Sequence, residues 1–178
     1  VNLSPAQFRH GDLPGLVHTV LLDSGLAPSR LELEITENVL IDDFGRAQAI
    51  LRRLKSLGVK ITMDDFGTGY SSLSYLQSFP FDKIKIDRSF VMDLESNSHN
   101  AAIVRAVITL AKSLNLPVLA EGVETEQQRL ILSQEGCDQI QGYLIGTPQP
   151  IELYDALVHA APAQHRPACS AQADDSVA

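Results

Sequence analysis

The strongest constraint on this chain is an alternation of two hydrophobic periods, repeated along its length. Leu31 to Thr36 alternates apolar and polar residues, as a half-buried strand does. Val59 to Met63, Lys83 to Asp87, Val118 to Glu121 and Asp138 to Gly142 are further short strand-like runs, and Val1 to Leu3 reads as the end of one. Between them lie helical stripes. Leu13, Leu16, Val17, Val20 and Leu21 recur at helical spacing and close at Gly25. Ala47, Ile50, Leu51, Leu54 and Leu57 end at Gly58, and Ile103, Val107, Leu110 and Leu114 stop before Pro117. Shorter helices are expected at about 72–79, at 124–134 with Gly136 as C-terminal glycine, and at 150–160. Strand and helix in strict alternation imply parallel strands joined by right-handed crossovers. An open doubly wound sheet fits, and so does part of an eight-fold α/β barrel, which typically needs about 250 residues. No Gly-x-Gly-x-x-Gly or Walker-type loop follows any strand, which weighs against the nucleotide-binding sheet.

Bulk properties exclude some functions. A hydrophobic share of 44% and a charged share of 20% are those of a globular protein with one substantial core. A net charge of −8 argues against binding to nucleic acid polymers or anionic membranes, and means that an anionic substrate would need help, for example from bound cations. Cys137 and Cys169 form no metal or redox pattern, so a reducing, cytoplasmic setting is expected, with an upstream membrane anchor compatible. Asn2-Leu3-Ser4 matches the glycosylation tripeptide only by chance on this reading. No apolar run reaches a membrane span. The first residue is Val inside a strand-like run, so a piece of a longer chain is expected. From Ala161 onward large apolar residues nearly vanish, and that tail is expected to be disordered.

Polar residues recur at one place in the pattern. Asn2, Glu34, the pair Asp64 and Asp65, Lys85, Glu121 and Gln141 each stand at or near the carboxyl end of a different expected strand. Singly, each has an ordinary explanation as a turn residue, a helix cap or a surface ion-pair partner. Together they mark the face on which barrel enzymes build their sites. Two adjacent carboxylates repel unless a proton or cation lies between them. Oxygen donors without His or Cys favour Mg²⁺ or Mn²⁺ over zinc. Two such ions about 4 Å apart can hold an attacking water and a phosphate oxygen together. A lysine in the same ring can position the water, help deprotonate it or stabilise charge on the phosphate. The reaction class that fits is metal-assisted phosphodiester hydrolysis.

The chain resembles the EAL-domain phosphodiesterases that linearise cyclic di-GMP. The resemblance rests on Val-Asn-Leu-Ser-Pro (1–5), Glu-Ile-Thr-Glu (34–37), Asp-Asp-Phe-Gly-Thr-Gly-Tyr-Ser-Ser-Leu (64–73), Lys-Ile-Asp-Arg-Ser-Phe-Val (85–91), Ala-Glu-Gly-Val-Glu-Thr (120–125) and Gln-Gly-Tyr-Leu (141–144), in that order. It implies a TIM-barrel-like (β/α)8 fold with one antiparallel strand, and two-metal hydrolysis of cyclic di-GMP to linear pGpG. By position it implies Asn2, Glu34, Asp64 and Asp65 as metal ligands, Lys85 as the lysine acting on the attacking water, and Glu121 and Gln141 as supporting site residues. Glu37 is implied to anchor the loop 66–72, which in the family couples dimerisation and substrate to metal binding. Homodimers and an upstream sensory or diguanylate-cyclase module are family expectations.

Two departures matter. The Glu-Ala-Leu stretch that names the family, with a metal-ligating Glu, is expected upstream of Val1 together with the first barrel strands. Residues 1–160 are therefore expected to be a partial domain, poorly folded and inactive on its own, since an arc of a barrel leaves open strand edges. Gly146-Thr147-Pro148 stands where relatives often carry a basic residue. A catalytically inactive cyclic di-GMP receptor or partner-binding module is the alternative, and an aldolase using Lys85 as a Schiff-base amine a distant third. Intact Asp64, Asp65 and Lys85 favour the enzyme.

Overall fold

A computed structural model describes residues 1–9, 11–37, 39, 43–68, 76 and 78–154. Five parallel strands form one sheet: β1 (Glu32–Thr36), β2 (Lys60–Phe66), β3 (Lys83–Ile86), β4 (Val118–Ala120) and β5 (Gln139–Ile140). Among the described residues six α-helices accompany them: α1 (Pro5–Arg9), α2 (Leu13–Ser24), α3 (Phe44–Ser56), α4 (Arg88–Met92), α5 (Ser98–Ser113) and α6 (Glu126–Glu135). The chain start runs parallel to β1, with Asn2 bridged to Glu34 and Leu3 N donating to Glu34 O at 2.8 Å.

Strand order decides between the two architectures left open by the sequence. The spatial order is β1-β2-β3-β4-β5, the same as the order along the chain. A doubly wound sheet reverses direction at a switch point, whereas a barrel adds each strand beside the last. This sheet is an arc of the barrel kind.

Its two faces differ in chemistry. Leu33, Ile35, Ile61, Met63, Ile84, Ile86, Val118 and Ala120 are all essentially buried and share one core with Leu51 and Leu54 of α3, Val104, Ile108 and Ala111 of α5, and Leu132 of α6. The residues between them on β1, β2 and β3 are polar: Glu32, Glu34, Thr36, Thr62, Asp64, Lys83 and Lys85. The helices are delimited locally. Asp43 caps α3 by accepting from Arg46 N at 3.0 Å, Asn97 caps α5, and α2 ends where Gly25 turns left-handed.

The expected elements recur with shifted ends. β2 does not stop at Met63 but continues through both aspartates to Phe66. β4 ends one residue before Glu121, and β5 is only two residues long. The turn of helix α4, capped by Asp87, was not expected; five residues are too few to show a periodic stripe. The helix expected at 72–79 falls mostly outside the described residues, as does the tail from 161. Val1–Thr147 forms one compact unit, and the short remainder that follows carries a 3-10 turn at Ile151–Tyr154, where a helix to 160 was expected; residues beyond 154 lie outside the described ones.

Candidate metal and catalytic site

Lys85 is the centre of the polar face. It is 5% exposed, and its ammonium reaches Glu121 Oε1 at 2.6 Å, Asp64 Oδ1 at 3.1 Å and Glu34 Oε2 at 3.2 Å. These carboxylates come from β1, from β2 and from the residue just past β4, so three neighbouring segments converge on one cation. Burial alone pulls the lysine pKa down, but the hydrogen bonds to Glu121 and Asp64 and their charges outweigh it and drive it above its ordinary value. Lys85 is therefore an ammonium and a hydrogen-bond donor, a poor match for a Schiff-base nucleophile.

Asp65 joins this group by a break in the strand. Met63 is in register with Ile84, but the next pair is Phe66 with Ile86, so two residues of β2, Asp64 and Asp65, oppose the single Lys85. Such a bulge bends the strand and re-aims side chains, and bulges are common beside sites. The extra residue is accommodated by a left-handed backbone at Asp65, φ 54°, which Asp tolerates better than most residues. Without the bulge, Asp65 would oppose Ile86 on the apolar side. With it, one carboxylate oxygen each of Asp64, Asp65 and Glu121 lie within 4.8 Å of one another.

Among the described residues, acids outnumber the cations paired with this cluster. Glu34, Asp64 and Glu121 surround one ammonium, and Asp65 lies beside Asp64 and Glu121. Burial raises the Asp65 pKa, and the charges of Asp64, Asp87 and Glu121 and a hydrogen bond with Asp87 raise it further. Asp87 moves the other way: burial pushes it up, but hydrogen bonds from the Ser89 hydroxyl and backbone and from Asp65 hold it below the usual carboxylate range. An all-oxygen cluster short of positive charge fits hard divalent cations.

The other expected site residues are placed as follows. Asn2 is exposed and in register with Glu34, so the two side chains share a face of the sheet. Glu37 is 4% exposed and its Oε1 accepts from Gly67 N at 3.1 Å, directly behind the bulge; the loop beyond Thr68 lies outside the described residues. Gln141 lines a cleft of about 230 Å³ with Glu121, Arg88, Glu124 and Tyr143. Its backbone is stitched to the Glu121 loop: Gln141 N donates to Ala120 O at 2.8 Å and Val123 N donates to Gln141 O at 3.0 Å. Gly142 is needed there, since a Cβ would fall 2.2 Å from Val123 O. Sequence reasoning brought these positions to one end of the sheet but passed over Asp87. Its signal was available, a third acid just past a strand that ends in the ring.

A second polar layer lies one pleat below. Glu32 accepts from Thr62 Oγ1 at 2.7 Å and pairs with Lys83 at 2.9 Å. Burial opposes ionisation of Glu32, but these partners win and its pKa is lowered.

The sequence pattern of the EAL domain matches residues 1–148. An uncharacterized signaling protein of Caulobacter vibrioides is 62% identical over 152 residues, covering 85% of this chain and 19% of that protein. The bifunctional diguanylate cyclase/cyclic di-GMP phosphodiesterase MucR of Pseudomonas aeruginosa is 48% identical over 152 residues, again 85% of this chain, and 22% of MucR. The chain thus spans about a fifth of the length of these relatives. Among solved structures, the MucR phosphodiesterase in complex with c-di-GMP superposes with a TM-score of 0.83 at 48% identity, covering 86% of this chain and 62% of that one. Klebsiella pneumoniae BlrP1 in a manganese/c-di-GMP complex superposes at 0.75 with 38% identity, covering 81% and 37%.

Proposed function

The chain belongs to the EAL domain family, and on that premise we propose that it hydrolyses cyclic di-GMP to linear 5′-pGpG with Mg²⁺ or Mn²⁺, two ions acting together. The observation that carries this reading is the ring of acids from three neighbouring segments around one buried ammonium. MucR is named as a cyclic di-GMP phosphodiesterase, and BlrP1 has been solved with c-di-GMP together with manganese or calcium, which supports both the substrate and the metal.

Asn2, Glu34, Asp64 and Asp65 would hold the metals, with Glu121 close enough to Asp64 and Asp65 to share that work. Divalent ions bound there would supply a water of lowered pKa and offset negative charge on the phosphate. Lys85, as an ammonium, donates a hydrogen bond that orients the attacking water or meets the growing charge on phosphate oxygen. Glu121 aims that ammonium. Gln141, on the adjoining loop, offers an uncharged amide to water or phosphate. Glu37 fixes the loop that begins at Gly67, so that Asp65 keeps its left-handed backbone.

Residues 1–160 are read as the carboxy-terminal part of the domain, with the Glu of a Glu-Ala-Leu motif completing the ligand set in the full-length protein, which acts as a homodimer; the 178 residues alone are inactive. The test is incubation of the full-length protein with cyclic di-GMP and Mn²⁺ or Mg²⁺, with products followed by chromatography. Linear pGpG from the wild type, lost in Asp64→Asn and Lys85→Ala, supports the proposal. Retained binding without turnover would convert it to a receptor.

A further inference from the structure

The loop that delivers Glu121 to Lys85 is held by a residue outside the ring. Gln128, in the first turn of α6, is 4% exposed. Its Oε1 accepts from Glu124 N at 2.8 Å and from Thr125 N at 3.0 Å, while its Nε2 donates to Met92 O at 3.3 Å. Its backbone N donates to Thr125 Oγ1 at 3.1 Å, completing a capping box, and that hydroxyl in turn donates to Glu95.

A capping box needs only an acceptor at this position, and Glu serves it as well as Gln. Here the same buried group must also donate to a carbonyl, which an ionised carboxylate cannot do. The amide therefore does more than start a helix. Met92 ends α4, the turn that Asp87 begins two residues after Lys85. Gln128 thus ties the loop after β4, which carries Glu121, to the segment after β3, which follows Lys85. The near end of the loop is seated on the same turn, because Gly122 lies so close to Arg88 that a Cβ would fall 2.6 Å from Arg88 Cβ.

We propose that Gln128 is a positioning residue: by clamping the loop 121–125 onto α4 it sets Glu121 against Lys85 and the acid cluster, and so tunes metal affinity and turnover. The kinetic part of this inference rests on the proposed hydrolysis; the metal-binding part stands by itself.

The experiment uses the full-length protein with Gln128→Met, Gln128→Glu and, as a control for simple destabilisation, Leu132→Ala, a fully buried residue of the same helix. Amide exchange at Glu124 and Thr125, Mn²⁺ affinity by calorimetry, and kcat and KM are measured for each. Gln128→Met is expected to speed exchange at both amides and to weaken Mn²⁺ binding and kcat by about tenfold, the usual scale for losing an outer partner of a ligand, with KM little changed. Gln128→Glu retains the two accepted bonds and recovers toward wild type as pH falls and its carboxyl gains a proton to donate. Leu132→Ala lowers Tm without these effects. Mn²⁺ affinity and kcat of Gln128→Met equal to those of Leu132→Ala at matched Tm would overturn the inference and leave Gln128 a helix cap. A wild type that binds Mn²⁺ but cleaves no cyclic di-GMP defeats the phosphodiesterase reading, and the Mn²⁺ arm still decides on Gln128. A wild type that binds neither overturns both.

Discussion

The two polar layers on one face of the sheet contain the same residue types and behave in opposite ways. In the lower one, a single carboxylate, Glu32, is matched by one ammonium, Lys83, and one hydroxyl, Thr62. In the upper one, Glu34, Asp64 and Glu121 crowd the ammonium of Lys85, and Asp65 adds a further carboxylate beside two of them. The lower layer is closed: every charge has its partner within the chain. Among the described residues the upper layer holds acid in excess, and a divalent cation would supply the positive charge it lacks. A lysine among acids thus marks a site only where the local charges fail to balance.

The largest test of that contrast is catalytic. Asp64→Asn or Lys85→Ala in the full-length protein should reduce cyclic di-GMP hydrolysis by at least about 100-fold, whereas Lys83→Met should leave Mn²⁺ affinity unchanged in calorimetry. Metal linkage comes next. Mn²⁺ at about 100 times its Kd should stabilise the wild type by about 2.7 kcal/mol in thermal or denaturant unfolding, and the same increment should survive in Lys83→Met and vanish in Asp64→Asn. An increment lost in both would mean that the layers act as one.

Stability without metal should then separate the layers by sign. Lys83→Met leaves Glu32 half-buried with the Thr62 hydroxyl and only the charge of Lys60, and should cost about 1–3 kcal/mol in chemical unfolding. Asp64→Asn relieves repulsion and should be neutral or stabilising under the same conditions. The smallest effect is on pH. Glu32 is held below its ordinary value of 4.5, so the stability it contributes is complete above that value and is lost as pH falls through the lower folded-state pKa. Its side chain is 31% exposed, so solvent screening keeps this below about 1 kcal/mol. Glu32→Gln should flatten that acid limb of the unfolding curve, and an unchanged limb would assign it to other groups.

Much of this architecture was legible because strand ends are punctuated by chemistry. Alternation from Leu31 to Thr36 placed β1 within a residue, and Glu34, Lys85 and Glu121 could be collected at one end because parallel strands share a direction. Other features depend on partners far apart in the chain. Lys83 lies 51 residues from Glu32, so its pairing there could not be read from the sequence around it. Asp87 reads as the last residue of a strand until the bulge brings Asp65 to it. Gln128 reads as a surface helix residue until Met92 O and two loop amides are found around it. The bulge itself is nearly invisible, because a run of Met63, Asp64, Asp65 and Phe66 is also what a strand followed by a turn looks like. That resemblance is why the strand was expected to end three residues early.

The bulge also makes chain length at this point as consequential as residue identity. Removing residue 65, rather than replacing it, would let β2 regain regular pairing, with Phe66 still opposite Ile86 and Asp64 still opposite Lys85. The shortened strand would keep its apolar face and its hydrogen-bonded ladder, and would be relieved of its left-handed residue. The extra residue therefore contributes nothing that the sheet needs. It is an insertion tolerated by the fold for the second carboxylate it delivers, and a deletion there would leave a sound scaffold from which one carboxylate of the cluster had been edited out.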